Sequence, residues 1–260
     1  MPRVSMKVFW DHEIPLPPLP EQRRIAAILD KADAVRRKRQ EAIRLTEEFL
    51  RSVFLDMFGD PVTNPKEWEV EKLGAITKFE NGDRSKNYPS GDDIKSEGVL
   101  FLSTKNIVDG KLNLRNPQFI TKEKYQSLSQ GKAKPLDLLI TLRGTLGNCC
   151  IFNSSFDKAF INAQMMIIRP SEKCKADFLH SFMTSVSIRD FFQKIGQGAA
   201  VPQLTATQLR VIDVPLPPVD LQQRFSEIKA RVVGAVETMV EFSNSKLFES
   251  LVQRAFRGDL

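Results

Sequence analysis

Apolar residues recur at steps of three and four along two long stretches, one near each end of the chain. In the first, Ile25, Ile28, Ala32, Val35, Ala42, Phe49 and Val53 mark one face, interrupted at Arg39 and Thr46, which Leu29, Ile43, Leu45 and Leu50 widen. In the second, Phe225, Ile228, Val232, Ala235, Met239 and Phe242 advance by 3, 4, 3, 4 and 3. That spacing predicts two amphipathic helices with the seam of a coiled coil. From Glu21 to Met57 the first would be roughly 55 Å long, at about 1.5 Å per residue. Between the helices the texture changes to short apolar runs cut by turn residues. Residues 98–102, 136–142, 149–152 and 165–169 read as strands, Asp109-Gly110 as a hairpin turn, and residues 177–195 as one helix rich in Phe.

The two helical stretches share an entrance. Ile14-Pro15-Leu16-Pro17-Pro18-Leu19 leads through Gln22 and Arg24 into the first, and Val214-Pro215-Leu216-Pro217-Pro218-Val219 leads through Gln222 and Arg224 into the second. Gly59-Asp60 and Gly258-Asp259 close them, so the offset is 200 residues at the start and 199 at the stop. This is one duplicated element framing an unrepeated middle. The prolines hold each entrance extended. The chain thus divides into an N-terminal extension (1–13), a proline box with the first helix (14–60), a middle domain (61–213) and a second box with its helix (214–260). The first helix runs into the middle and the second runs out, so within one chain they can pair only as antiparallel neighbours. The fold expected is α+β: one mixed globular domain with a projecting arm of two antiparallel coiled-coil helices. Two helices lying flat on a globular core are the alternative.

Charge refines this picture. The net charge is +6, and the basic surplus is +1 over residues 1–60, +5 over 61–213 and 0 over 214–260. The middle therefore suits a polyanion, although the same surplus fits an ordinary basic domain. Cys149, Cys150 and Cys174 are odd in number and form no Cys-x-x-Cys pair, which points to a reducing compartment. No apolar run reaches the roughly 20 residues of a membrane span. A cytoplasmic protein with no membrane partner is expected. Phosphate-cradling glycine loops are absent from the sequence, and His12 and His180 have no ligand partner in pattern. Asp83 with Asp93-x-Lys95 could in principle hold a metal and orient water. So short a pattern arises by chance in charged sequences, and no catalytic residue, metal or cofactor is expected.

Residues 14–25, followed by a heptad helix, resemble the conserved region of type I restriction-modification specificity subunits, and residues 214–225 resemble its second copy. The middle is similar to one target-recognition domain of that family, in residues 98–107, 135–147 and 196–204. The resemblance implies a non-enzymatic subunit of a methyltransferase and endonuclease complex. Each recognition domain would read one half of a bipartite site in double-stranded DNA. The helical arms would set the spacing and dock methylation subunits, which bring S-adenosylmethionine, and a restriction subunit could join them. Where a full subunit alternates two recognition domains with two conserved regions, this chain has one between two. It resembles a half-subunit, to be completed as a homodimer on a symmetric site or by another half. A coiled-coil adaptor or decoy half without productive DNA recognition is the rival reading.

Base edges are read by Arg, Asn and Gln, while Lys and hydroxyl side chains hold phosphates. The polar loops offer Arg84, Lys86, Asn87 and Tyr88; Thr104, Lys105 and Asn106; Arg143, Thr145 and Asn148; and Gln197. The run Arg36-Arg37-Lys38-Arg39 suits a solvated helix face or phosphate contact across a spacer. Phe54, Met57 and Phe256 are surplus to the seam and suit a partner surface.

Overall fold

A computed structural model describes residues 16–196, 203–241, 250 and 253–254. The elements in order are α1 (Leu19–Phe58), β1 (Val70–Lys72), α2 (Leu73–Ile76), β2 (Thr77–Asn81), β3 (Val99–Leu102), β4 (Ile107–Val108), β5 (Lys111–Leu112) and β6 (Gln118–Ile120). There follow α3 (Lys122–Ser127), β7 (Lys132–Ala133), β8 (Leu138–Thr141), β9 (Cys149–Ile151), β10 (Ala159–Ile161), β11 (Met165–Pro170), α4 (Ala176–Met183), α5 (Val186–Gly196), α6 (Ala206–Arg210), β12 (Asp213–Pro215) and α7 (Val219–Glu241). The class is α+β. Two compact units divide the chain: one takes α1 up to Glu48 together with α7 from Arg231, the other spans Phe49–Ala230. Residues 49–60 and 214–230, assigned to the arms on their helical pattern, thus belong to the globular unit.

In the first unit, α1 starts at Leu19 with Pro20 in its first turn, where a missing N–H costs nothing because it would have no helical acceptor. Its surface is laced with ion pairs. Arg36 and Arg37 converge on Asp33, each at 2.6 Å, and Arg44 bridges Glu41 and Glu48. Exposed pairs of this kind contribute little to stability, since water and salt screen them. Much of the basic run is therefore spent on its own helix. Along the expected seam Ile25, Ile28 and Ala32 are half-buried, whereas Val35 is 49% exposed. Val232 is half-buried and Ala235 exposed. The side chain of Met239, and Phe242 and Phe256 entirely, lie outside the described residues, as do the extension 1–13 and the end of the second helix.

The second unit is layered. One sheet has the order β2-β11-β8-β9 and the other β6-β3-β10-β7, with β3 and β10 parallel and the remaining neighbours antiparallel. Strand side chains alternate between faces. Leu138, Ile140, Met166 and Ile168 face the helices, while Leu139, Met165 and Ile167 face the second sheet, against Leu100, Leu102 and Ile161. Both faces are covered, which is why β8 and β11 read as unbroken apolar runs. Arg169 crosses between the sheets: it grips Asp137 with two bonds of 2.8 and 2.7 Å and donates to the Lys132 carbonyl at 3.2 Å.

Two expectations are corrected here. Phe54 is not a partner surface, and Phe225, which meets the Phe54 and Phe58 rings of α1 as a seam residue would, belongs at the same time to the core of the globular unit. Both are buried, at 4% and 0% exposure, in a cluster with Phe58 and Phe178, and Val53 and Met57 pack against it. Phe49, one turn earlier, is 51% exposed. The single helix expected over 177–195 is two, α4 and α5, because Thr184 leaves the helical region (φ −97°, ψ 1°) and the Ser185 N–H bonds the Phe182 carbonyl three residues back, at 3.2 Å. Ser185 then caps the next helix through its side chain, at 3.4 Å from the Ile188 N–H. Helix α1 stops at Gly59, whose φ of +81° suits glycine, and Trp68 Nε1 donates to the Phe58 carbonyl at 2.9 Å.

His180 is buried beside this layer, its Nε2 lying 3.0 Å from the Gly110 carbonyl and 3.2 Å from that of Cys149. Facing two acceptors, Nε2 must carry the proton. Burial, reinforced by the charge of Lys229, brings its pKa down to about 4. The unfolded imidazole takes up a proton near pH 6.5 that the folded one refuses, so stability falls as pH drops from about 6.5 towards 4, by up to about 3 kcal/mol. His180→Gln keeps a donor in place and should flatten that part of the profile in urea unfolding between pH 4 and 7.

Candidate nucleic-acid interface

Strand directions bring four loops to one end of the paired sheets. The turn 103–106 follows β3, residues 82–88 follow β2, 142–148 join β8 to β9, and 162–164 join β10 to β11. They are tied to each other. Leu142 N–H donates to the Gln164 carbonyl at 2.9 Å, Asn162 N–H to the Leu102 carbonyl at 2.8 Å, and Arg84 Nη2 to the Ala163 carbonyl at 3.1 Å. Gly82 passes so close that a Cβ would lie 2.1 Å from the Asn162 carbonyl oxygen. A side chain there would push two loops apart.

Thr104, Lys105, Arg143, Gly144, Thr145 and Asn148 surround an open cavity of about 280 Å³, floored by Ile107 and Thr141. Thr141 hydroxyl donates to the Thr145 carbonyl and accepts the Asn148 N–H at 3.1 Å, which closes the 142–148 loop. Asn148 Nδ2 reaches across to the Ile107 carbonyl at 2.9 Å, joining that loop to its neighbour. Arg143 is exposed, and its Nε and Nη2 both donate to Gln203 Oε1, at 3.0 and 2.7 Å. The bonds fix the guanidinium plane while leaving donors on Nη1 and Nη2 for a ligand. Lys105, also exposed, lines the same cavity. Two cations flanking polar side chains in an open cleft suit an anionic, hydrogen-bonding ligand such as a nucleic-acid groove.

Of the expected residues, then, Thr104, Lys105, Arg143, Thr145 and Asn148 come together. Arg84 and Lys86 are exposed on the 82–88 loop, and Asn87 is half-buried with Nδ2 3.4 Å from the Ser127 carbonyl. Asn106 spends its amide on its own turn, accepting from Ser103 N–H at 2.8 Å and donating to the Asn113 carbonyl at 3.1 Å. Tyr88 is half-buried: its ring packs 6.2 Å from both Phe101 and Phe160, and burial pushes its phenol pKa up. Gln197 lies outside the described residues. Gln203 and the exposed Gln164 were missed. Gln203 stood in the recognised 196–204 stretch, and Gln164 in a short polar break between two apolar runs.

The acids once paired as a metal site have structural duties. Burial works to raise the pKa of Asp83, but bonds from Ser85 N–H and from Ser129 N–H and hydroxyl outweigh it and hold the carboxyl at about 2. Asp93 accepts from Ser90 N–H at 3.1 Å and pairs with Lys124 at 3.0 Å. Among the described residues no group of three or more His, Cys, Asp or Glu is placed to hold a metal ion. None of the described helices is long and apolar enough to cross a membrane.

A sequence profile described as the type I restriction modification DNA specificity domain matches residues 1–45 and 65–238. The chain belongs to that family. Specificity subunits are the non-catalytic DNA-recognition members of type I restriction-modification systems. The EcoBI specificity subunit of Escherichia coli is 26% identical over 99% of this chain and 60% of its own length. The MjaVIII specificity subunit of Methanocaldococcus jannaschii is 25% identical over 91% of this chain and 59% of its own. The chain thus spans about 60% of the length of these relatives. Among solved structures, the HsdS subunit from Thermoanaerobacter tengcongensis superposes with a TM-score of 0.55 at 23% identity, over 100% of this chain and 64% of that one. The type I S subunit from M. genitalium does so at 0.58 and 16% identity, over 91% and 59%. Both support the fold.

The specificity-domain loop 142–148 depends on Gly147, whose φ is +71° and whose Cβ position would lie 2.2 Å from the Phe192 ring. Gly147→Ala should cost on the order of 2–4 kcal/mol in denaturant unfolding, from backbone strain plus displacement of a core ring. Gly144, with φ +79° and open space around it, should tolerate alanine better.

Proposed function

We propose that this chain reads one half of a bipartite site in double-stranded DNA, through the loop cluster at the end of its paired sheets. The observation that carries this reading is the convergence of Arg143, held by Gln203, and Lys105 on one cleft. An oriented guanidinium can donate two bonds to guanine O6 and N7, whereas a lysine gives a point charge for phosphate. Arg84 and Lys86 extend the basic rim. In this proposal α1 and α7 pair as an antiparallel coiled coil that sets the distance to a second half-site. Methylation subunits dock on that arm and bring S-adenosylmethionine, and a restriction subunit can join. A second recognition unit, from another copy or another chain, completes the site. The setting is the cytoplasm.

The test is a map of methylated adenines in DNA from cells making the cognate methylation subunit, with and without this chain. A new motif in the presence of the chain is the expected result. Arg143→Ala should relax or abolish the motif at one position, costing about 1–3 kcal/mol of discrimination, and Gln203→Ala should do so more weakly. Lys105→Ala should weaken binding evenly across sequences and lower the salt dependence by about one counterion. If no motif appears while the chain still co-purifies with the methylation subunit, the adaptor reading replaces this one.

A further inference from the structure

Adenine presents an acceptor at N7 beside a donor at N6, and a single amide side chain can meet both at once. The four loops at the end of the paired sheets carry five such side chains: Asn87, Asn106, Asn148, Asn162 and Gln164. Asn87, Asn106 and Asn148 are half-buried, and each gives its amide nitrogen to a backbone carbonyl, that of Ser127, Asn113 and Ile107 respectively. Asn162 is 9% exposed, and its side-chain oxygen accepts the Gln164 N–H at 3.1 Å. Gln164 itself is exposed, and among the described residues none bonds its side-chain amide.

The backbone beneath Gln164 is held from every side. Met165 N–H donates to the Asn162 carbonyl at 3.1 Å and closes a tight turn over 162–165. That turn is tied to the β3 end through the Asn162 N–H and the Leu102 carbonyl, at 2.8 Å, and to the 142–148 loop through the Leu142 N–H and the Gln164 carbonyl, at 2.9 Å. Gly82 packs against it from the 82–88 loop. Gln164 therefore has a fixed root and an amide that the fold leaves available, and little backbone ordering remains to be done on binding. Its neighbours are two arginines. Leu142, its bonded partner, directly precedes Arg143, and the Arg84 guanidinium bonds the carbonyl of Ala163, one residue before Gln164. Bonded partners on adjacent strands lie about 5.5 Å apart, and successive base pairs rise by about 3.4 Å.

We propose that Gln164 is a specificity-determining residue that reads the adenine of an A·T pair lying one or two base pairs from the pair met by Arg143. Its amide oxygen accepts from adenine N6 and its amide nitrogen donates to N7. The proposal rests on the reading of this chain as a DNA-recognition subunit, and it adds an A·T pair to the G·C pair that an oriented Arg143 can read.

Selection from a pool of random duplexes tests it. The full chain, assembled with the cognate methylation subunit, is mixed with the pool in the absence of S-adenosylmethionine, and the bound duplexes are sequenced. The wild type should enrich one motif. Gln164→Ala should lower the preference for adenine at one position by roughly tenfold or more and leave the other positions as they were. That position should lie within two base pairs of one that Arg143→Ala relaxes. Gln164→Glu keeps the length of the side chain but sets an oxygen against the N7 lone pair, so it should lose adenine as well. Because Gln164 is exposed, neither variant should shift the urea midpoint, and the unchanged positions of the motif report an intact complex in the same experiment. A motif unchanged in Gln164→Ala overturns the proposal. So does an equal loss of enrichment at every position, which marks a phosphate contact. A relaxed position that is not A·T, or that is not within two base pairs of one relaxed by Arg143→Ala, overturns it too, as does adenine retained in Gln164→Glu. In all of these the wild-type motif is present and the DNA-recognition reading stands. If the wild type enriches no motif, that reading fails and the role of Gln164 fails with it.

Discussion

Four phenylalanine rings govern how helices enter the globular unit. Phe54 and Phe58 from the last turns of α1 each meet the other, Phe178 from α4 and Phe225 from the first turns of α7, with ring centroids 5.0–5.8 Å apart. Each such pair contributes about 0.5–1.5 kcal/mol beyond the area it buries. The cluster joins both duplicated segments to the helical side of the β2-β11-β8-β9 sheet. Chain entry and exit are thereby fixed relative to the strands, and with them the end of the sheets from which the loops emerge.

That geometry separates support from contact within the same short segments. In residues 82–88, Asp83 faces inward to Ser129 and Tyr88 packs on the second sheet, which leaves Arg84 and Lys86 outside. In 142–148, Leu146 is buried while Arg143, Gly144 and Thr145 are exposed. A loop whose alternate residues are anchored can hold its remaining side chains in place before a ligand arrives, so less ordering entropy is spent on binding. A DNA-reading surface needs this, because base edges are distinguished by donor and acceptor positions that a mobile side chain would blur.

The duplicated box shows one short motif in two environments. Its internal bonds are the same in both copies: Gln22 and Gln222 each donate a side-chain N–H to the carbonyl of Pro17 or Pro217 and a backbone N–H to that of Pro18 or Pro218, so the turn is a local property of the proline and glutamine spacing. Whether the turn is buried depends on what folds beside it, and in the second copy that is the Lys173–Lys175 backbone.

Much of this was legible in the sequence. The two helices, the repeat that frames them, the strands 138–141, 149–151 and 165–170 and the polar loops between them follow from periodicity and from turn residues, which act over a few positions. The family followed from the boxes and the recognition-domain stretches together. What closes the base of the apolar stripe was not legible: Phe225 meets Phe54 and Phe58 as spacing allows, but that those two rings also pack on Phe178 of α4, which makes the group part of the core, is decided by residues more than 100 positions apart. Nor was the break at Thr184, the packing of Tyr88 on Phe101 and Phe160, or the bond from Arg143 to Gln203, which are 60 residues apart. Local spacing sets the hydrogen bonds and faces of each element by itself. Contacts between residues far apart in the chain depend on how the sheets and helices stack, and that stacking alone selected the side chains left facing outward.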